Sequence, residues 1–356
     1  MGSGLGDGVV FFEDDLCRLV LVGGESGMVV CLPICEVRAV VVFVHGIAEH
    51  SARHYGTAKG LAKEGVATVL FDLYGHGFGA LEGEGIDPVR VAYAEHDDPR
   101  ILAEVLRECD IEGGDRYREQ RMRERAELGR VRPGDHLRRV ESAVAYARGL
   151  FDSSLPLFLV GFSLGGLLSA AVGLGLSEVS QSELEGVILV NPALGPRGRP
   201  DSWEDRVVRR VWRNRGRFSL LGFVVRQGMR LPLSPGLGRV SKWLSDLPEE
   251  QTVQEADPLI HRRFPTRYLR GLESVMIRVR EEAAKKGCLK TLLIVSGGDR
   301  IVDADEAIQF ADDVVGRGSG KVERVVYGGF FPHDILHSSR RGEVLKGMVD
   351  WMGLSA

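Results

Sequence analysis

The sequence predicts an α/β fold: a mostly parallel central sheet with helices on both faces and a helical cap. Short β-branched runs alternate with helical stretches, beginning with RAVVVFVHG at 38–46, HYGTAKGLAKEG at 54–65 and VATVLFDLYGHG at 66–77. Strand segments that are apolar throughout are typical of a sheet buried on both faces. The strand–helix–strand order also returns after each interruption, which favours parallel strands joined by crossover helices.

The other elements follow from the same patterns. Before residue 38, Gly and acidic turn residues separate three predicted strand segments, GVVFF at 8–12, CRLVLV at 17–22 and GMVVCLPICEV at 27–37. The later elements are a helix at 135–151, a strand at 155–162, a helix at 165–176, strands at 184–194 and 289–299, a helix at 303–316, a strand at 321–329 and a helix around 341–352.

Two segments interrupt this alternation and define the predicted domains. Residues 95–132 are dense in both charges and poor in apolar residues, which predicts a solvated helical insertion. Residues 197–286 lack strand runs and predict a helical cap on a core made of 1–196 and 287–356. A cap inserted between two core strands is well placed to cover the strand ends, where ligands of such sheets bind.

Composition excludes several classes of protein. The 356 residues are 44% hydrophobic and 27% charged, with a net charge of −4, which indicates a globular chain without a preferred charged partner. Among the five cysteines only Cys31 and Cys35 are close, and no second pair completes a zinc site. We therefore expect reduced thiols and a cytoplasmic protein. The N-terminus lacks the basic and apolar regions of a signal peptide.

One uncharged stretch, residues 153–177, has the length of a membrane span. The glycines favour a different interpretation. Residues 155–160 predict a short buried strand, GFSLGG at 161–166 a break, and the following residues a buried helix with small side chains. Pro156 fits the start of a strand better than the interior of a helix.

The GFSLGG stretch is the strongest candidate for chemistry. It fits the pattern G-x-S-x-G between a predicted strand and a predicted helix, which is the context that this nucleophile motif requires. A serine on a tight strand-to-helix turn needs neighbours without a Cβ, and Gly161 and Gly165 supply them. Ser163 is thus a candidate nucleophile, whereas a Gly-Ser turn used only for packing is the alternative.

A nucleophilic serine needs a base and a carboxylate that orients it. In this fold the order along the chain is Ser, then Asp or Glu, then His. Asp299 follows a predicted strand and His333 follows the last one, so both are expected at the strand ends near Ser163. Asp303 and His337 are rivals, although Asp303 better fits the first position of an acid-rich helix.

Acyl transfer also needs donors for an oxyanion. The amide of Ile47, after the turn His45-Gly46, and the amide of Leu164 are the candidates. The nearby histidines His45, His50 and His54 are clustered, but no cysteine or paired carboxylate completes a metal site. The glycine-rich DLYGHGFGALEGEG at 72–85 lacks the lysine and spacing of a phosphate loop. We therefore expect neither a metal nor a cofactor.

These motifs resemble the monoacylglycerol lipase and lysophospholipase branch of the α/β-hydrolases. HGIAEHSARHY at 45–55 is similar to that branch's HGxxEHSxRY element, FDLYGHGFGALEG at 71–83 to its GHG loop, and GFSLGG to its GHSMGG turn. NPAL, DPL, SGGDRIVD and YGGFFPHDILH follow in the family's order. The resemblance implies a triad of Ser163, Asp299 and His333, an oxyanion hole at Ile47 and Leu164, and a cap that shapes an acyl pocket.

The sequence departs from that pattern at several positions. His54 is an extra residue before Tyr55, Gly79 replaces the usual Ser, and Phe162 replaces the histidine before the nucleophile. Phe331 and Pro332 lengthen the approach to His333, so His337 stays an alternative base.

The cap contains an unusually basic segment. Residues 206–245 hold nine arginines, one lysine and no acidic residue. At helical spacing Val207, Val208, Val211 and Trp212 share one face beside arginines, which is typical of a helix resting on an anionic lipid surface. The alternative is that the arginines pair with acidic residues of the insertion. Nucleic-acid binding is not expected, because no series of stacking aromatics accompanies the charge.

The sequence therefore predicts a serine hydrolase that cleaves lipid-like carboxylic esters through an acyl-enzyme. A thioesterase, an amidase or an acyltransferase would use the same three residues. A catalytically silent lipid-binding relative is a further alternative, although such a protein has no chemical need for all three.

Overall fold

The computed structural model describes most of the predicted core and part of the cap. The described residues are 9–22, 28–77, 128, 130–195, 203, 206–207, 210, 241–257, 260–261, 264–316, 321–329 and 332–355. Most of the charged insertion 95–132 and of the basic segment 206–245 lies outside them.

Nine strands form one sheet in the described part of the chain. They are β1 (Val9–Glu13), β2 (Cys17–Val22), β3 (Met28–Pro33), β4 (Ala39–Val44), β5 (Val66–Phe71), β6 (Leu157–Phe162), β7 (Gly186–Val190), β8 (Thr291–Ser296) and β9 (Val322–Tyr327). Their order across the sheet is β1-β2-β3-β5-β4-β6-β7-β8-β9. The pairs from β1 to β3 and the β3–β5 pair are antiparallel, and all later pairs are parallel.

The strand order fixes where a ligand site can lie. From β4 the chain moves first to β5 on one side and then to β6 on the other, so the order reverses at β4. Such a reversal opens a crevice beyond the carboxyl ends of the two central strands. Val44 at the end of β4 is the register partner of Gly161 in β6, which brings the segments after both strands to this crevice.

Helices cover both faces of the sheet. They are α1 (Tyr55–Ala62), α2 (Pro133–Leu150), α3 (Leu164–Gly173), α4 (Ser241–Leu244), α5 (Pro248–Ala256), α6 (Thr266–Ala283), α7 (Ala304–Val315) and α8 (Arg341–Met352). Within β4, Val40 and Val42 join the apolar cluster that contains α2, α3, α6 and α7. Val41 and Phe43 point to the opposite face and pack with α1 and α8.

The uncharged stretch 153–177 is β6 followed by α3, as the glycines predicted. In the described residues, no helix is long and apolar enough to cross a membrane. Every residue of α3 is buried, which explains why the helix carries no charge. It ends at Gly173, earlier than predicted, because Gly175 adopts a left-handed conformation with φ of 68°.

Close approach of backbones at α3 leaves no room for a Cβ at Gly165. A Cβ at this position would collide with the carbonyl oxygen of Val44. We expect Gly165→Ala to lower the free energy of unfolding by about 1–3 kcal/mol, since overpacking costs that much.

Gly149 is the matched control. It lies in α2, where an added Cβ would meet nothing within 4 Å, so Gly149→Ala should raise the free energy of unfolding by about 0.5–1 kcal/mol. Urea unfolding followed by circular dichroism measures both variants. Equal stabilities for the two would contradict the close approach at Gly165.

Candidate active site

Ser163 occupies a strained turn between β6 and α3. Its φ is 52° and its ψ is −111°, outside the regions that side chains favour. A Cβ at Gly161 would collide with the carbonyl of Gly165, so the turn can close only with glycine at position 161. The amide of Ser163 donates to Val190 at 3.0 Å, and its carbonyl accepts from Leu167 and Ala193. These bonds hold the backbone in a conformation that costs about 1–3 kcal/mol.

The structure brings three of the predicted residues together. His333 Nε2 lies 2.9 Å from Ser163 Oγ, and His333 Nδ1 lies 2.6 Å from Asp299 Oδ2. All three side chains are buried. With Nδ1–H donating to the carboxylate, Nε2 is the nitrogen that accepts the hydroxyl proton. The geometry is that of a nucleophile, a base and an orienting group.

Asp299 is itself held by backbone. Its Oδ1 accepts from the amides of Ile301 at 2.7 Å and Val302 at 3.1 Å, which leaves Oδ2 for His333. Burial lowers the pKa of His333, but the charge and hydrogen bond of Asp299 outweigh it and raise that pKa above the ordinary value of 6.5. The imidazole is thus a stronger proton acceptor than a free histidine.

The two rival residues have other partners. Asp303 caps the start of α7, where its carboxylate accepts from the amide of Asp305 at 3.2 Å. His337 Nδ1 lies 2.8 Å from Asp334, and its Nε2 lies 2.6 Å from the carbonyl of Arg53. Both ring nitrogens of His337 are therefore engaged with Asp334 and the segment after β4, whereas His333 is the histidine that contacts Ser163.

The candidate oxyanion donors follow β4 and β6 at the crevice. Leu164 begins α3, and the first amides of a helix have no acceptor within that helix. Ile47 follows Gly46, whose amide donates to Glu49 Oε1 at 2.6 Å and so fixes the start of this loop. A Cβ at Gly46 would come within 3.2 Å of the Phe162 ring, so glycine lets this loop approach the nucleophile turn.

The three clustered histidines each have a partner in the protein. His45 accepts from the amide of Leu73 at Nε2 and contacts the carbonyl of Gly46 through Nδ1. His50 pairs with Asp257, which lies in the predicted cap, at 2.8 Å, and His54 pairs with Glu49 at 2.8 Å. Within the described ranges, no group of three or more His, Cys, Asp or Glu residues is arranged to hold a metal.

Sequence reasoning missed the residues that hold the backbone of His333. Asn191 donates to the carbonyl of His333, Ser296 donates to the preceding carbonyl of Pro332, and the carbonyl of Trp243, from the predicted cap, accepts from the amide of His333. Asn191 stands at the start of NPAL, directly after a predicted strand, and that position was the signal that could have found it. A backbone carbonyl such as that of Trp243 leaves no such signal.

The sheet order and the turn after β6 define an α/β-hydrolase with a serine at the nucleophile position. The chain belongs to the serine aminopeptidase S33 family, which it matches over residues 35–92 and 133–339. No curated protein matches the chain at a significant level.

Solved structures share the fold at low sequence identity. The monoacylglycerol lipase of Paleococcus ferrophilus is 21% identical, with a TM-score of 0.57 over 90% of this chain and 96% of that one. A soluble variant of the Saccharomyces cerevisiae monoglyceride lipase, in complex with a substrate analogue, is 14% identical, with a TM-score of 0.59 over 98% of both chains. A carboxyl esterase of Bacillus coagulans, in complex with glycerol, is 17% identical, with a TM-score of 0.54 over 98% and 97%.

These comparisons confirm the α/β-hydrolase fold and the resemblance to the monoacylglycerol lipase branch. The family match also confirms the predicted class of enzyme, a serine hydrolase.

Proposed function

We propose that the protein hydrolyses lipid-like carboxylic esters, of the monoacylglycerol or lysophospholipid type, through an acyl-enzyme on Ser163. The observation that carries the proposal is the buried chain of contacts from Ser163 Oγ to His333 Nε2 at 2.9 Å and from His333 Nδ1 to Asp299 at 2.6 Å. Burial excludes water that would compete for these hydrogen bonds.

The reaction has two halves. His333 takes the proton of Ser163 while Oγ attacks the ester carbonyl, and the amides of Ile47 and Leu164 stabilise the oxyanion. His333 then gives the proton to the leaving alcohol as the C–O bond breaks, which leaves an acyl group on Ser163. Water then attacks this ester while His333 takes one of its protons. The bond between the acyl carbon and Ser163 Oγ breaks, His333 returns the proton to Oγ, and the fatty acid leaves. Asp299 keeps Nδ1 protonated and stabilises the imidazolium.

The substrate class is supported by the similar proteins. Two of the structures that share the fold are described as a monoacylglycerol lipase and a monoglyceride lipase, and a third as a carboxyl esterase. A lipid substrate also suits the division into core 1–196 and 287–356 and cap 197–286. We include in the proposal that the protein is cytoplasmic and that the basic segment 206–245 contacts anionic membrane surfaces from the periphery.

A fluorophosphonate probe tests the nucleophile. We expect wild-type protein to be labelled on the peptide that contains Ser163, and Ser163→Ala to remain unlabelled although folded, because the probe reacts only with an activated serine. Mass spectrometry of the labelled peptide reads the site. Ser338→Ala is the control. The buried hydroxyl of Ser338 donates to a carbonyl and should not react with the probe, so this variant should be labelled like the wild type.

The outcomes separate the functions that share these residues. Turnover of monoacylglycerols or lysophospholipids, faster than that of matched thioesters and amides, supports the proposal. Faster turnover of thioesters or amides would replace it with a thioesterase or amidase. A folded wild-type protein that takes no label would indicate a lipid-binding relative without catalysis.

A further inference from the structure

Ser163 and Asn191 share a backbone feature. They are the two residues other than glycine with a positive φ in the described part of the chain, 52° and 41°. Each directly follows one of two neighbouring parallel strands, β6 and β7. A positive φ is uncommon outside glycine, although asparagine tolerates it better than serine does, and surrounding contacts help to hold it.

The turn that begins at Asn191 contacts the backbone on both sides of the Ser–His pair. The amide of Ala193 donates to the carbonyl of Ser163 at 2.9 Å. The side chain of Asn191 donates from Nδ2 to the carbonyl of His333 at 2.5 Å. One short turn thus joins the residue that carries the nucleophile to the residue that carries the base.

Ser296, at the end of β8, completes this support. Asn191 Nδ2 also lies 3.0 Å from Ser296 Oγ, and Asn191 Oδ1 accepts from the Ser296 amide at 2.6 Å. The Ser296 hydroxyl donates to the carbonyl of Pro332 at 2.9 Å. Two successive carbonyls of the His333 loop are therefore held by side chains that are themselves fully buried.

On this geometry we propose that Asn191 is a positioning residue, assisted by Ser296, that sets the distance between His333 and Ser163. The inference rests on the proposed function. Asn191 contacts neither reacting atom and acts through the backbone of His333. Misplacement of a catalytic group by about 1 Å costs about 100-fold in rate, so a support of this kind is visible in turnover.

Two variants of Asn191 test the role. Asn191→Asp keeps the shape and the acceptor for the Ser296 amide but loses both donors, and Asn191→Ala loses them without adding a charge. We expect both to lower kcat by about 10- to 100-fold with KM little changed, and to slow labelling of Ser163 in proportion. Ser296→Ala should lower kcat by a smaller factor.

Thr291→Ala is the matched control. Thr291 lies at the other end of β8, is equally buried, and donates to the carbonyl of Leu289 at 2.6 Å. Loss of the Thr291 hydroxyl should change the free energy of unfolding but leave kcat near the wild-type value. If the Asn191 variants retain full kcat, or fall only as far as Thr291→Ala does, Asn191 has a merely structural role and the inference is wrong.

A second readout does not depend on turnover. The proton between His333 Nδ1 and Asp299 should give a low-field NMR resonance that Asp299→Asn abolishes. We expect the Asn191 variants to shift or broaden this resonance and Thr291→Ala to leave it unchanged. If wild-type protein takes no fluorophosphonate label but the resonance changes in the Asn191 variants and not in Thr291→Ala, the proposed function is refuted and the positioning role is still supported. An unchanged resonance in the Asn191 variants would refute that role even if esters are hydrolysed.

Discussion

Asp299→Asn is expected to lower kcat by about 10⁴-fold while the protein stays folded. The two amides of Ile301 and Val302 point at Oδ1, so they hold an oxygen in that place. An asparagine would then turn its NH₂ toward His333 Nδ1 and force that nitrogen to accept. The proton would move to Nε2, which could no longer take the proton of Ser163.

Asp303→Asn is the matched control for this loss. Asp303 is four residues away and caps α7, and asparagine caps helices as well as aspartate does. Its kcat should stay near that of the wild type. Steady-state kinetics on a chromogenic ester, with circular dichroism as a check of folding, measures both variants. If Asp299→Asn retained wild-type turnover, another carboxylate would have to orient His333.

Acid is expected to destabilise the protein through a buried group of histidines. The rings of His136 and His261 lie 5.7 Å and 5.1 Å from that of His76. Burial lowers the pKa of His136 to about 4, with His45 adding to this effect and Asp135 opposing it. Burial and the neighbouring histidines place the pKa of His76 well below its ordinary value as well.

The direction of the effect follows from proton binding. The unfolded chain binds a proton at His136 near pH 6.5, whereas the folded chain binds it near pH 4. Between these values the unfolded state holds more protons, so the free energy of unfolding falls as the pH falls. Over this interval His136 alone contributes a loss of roughly 3 kcal/mol.

His136→Gln should flatten this acid dependence, because glutamine does not titrate and still offers a hydrogen-bonding group to Tyr268, which His136 contacts at 2.8 Å. His337→Gln should leave this acid slope unchanged. Burial lowers the pKa of His337, but the charge and hydrogen bond of Asp334 raise it by more, so His337 stabilises the folded state below pH 6.5 and loses that effect only as the pH rises above 6.5. Urea unfolding between pH 6.5 and pH 4 measures both slopes. Equal slopes for the two variants would contradict the assignment.

The catalytic candidates were predictable because the ends of buried strands can be recognised in the sequence. Ser163, Asp299 and His333 each follow an apolar run, and the carboxyl ends of parallel strands meet at one edge of a sheet. Asp303 was recognisable as a helix cap from the acid-rich residues after it. These inferences need only local pattern and fold class.

The supports of the site were not predictable in the same way. Asn191 and Ser296 are common polar residues, and only the pairing of β7 with β8 brings their side chains together. Glu49 and His54 could be noticed as polar residues in a motif, but their 2.8 Å contact depends on the turn between them. Contacts made through backbone carbonyls could not be predicted, because they do not depend on the type of the residue.

The carbonyls of Trp243 and Leu244 accept from the amides of His333 and Asp334 at 2.7 Å and 2.8 Å. This has a consequence for engineering. A chimera that exchanged the whole of residues 197–286, the predicted cap, for the corresponding segment of a relative would also remove both acceptors from the loop that carries His333. Exchanges meant to alter substrate choice should therefore retain residues 241–246 of this chain. Libraries of chimeras that keep this segment should contain more active members than libraries that replace it.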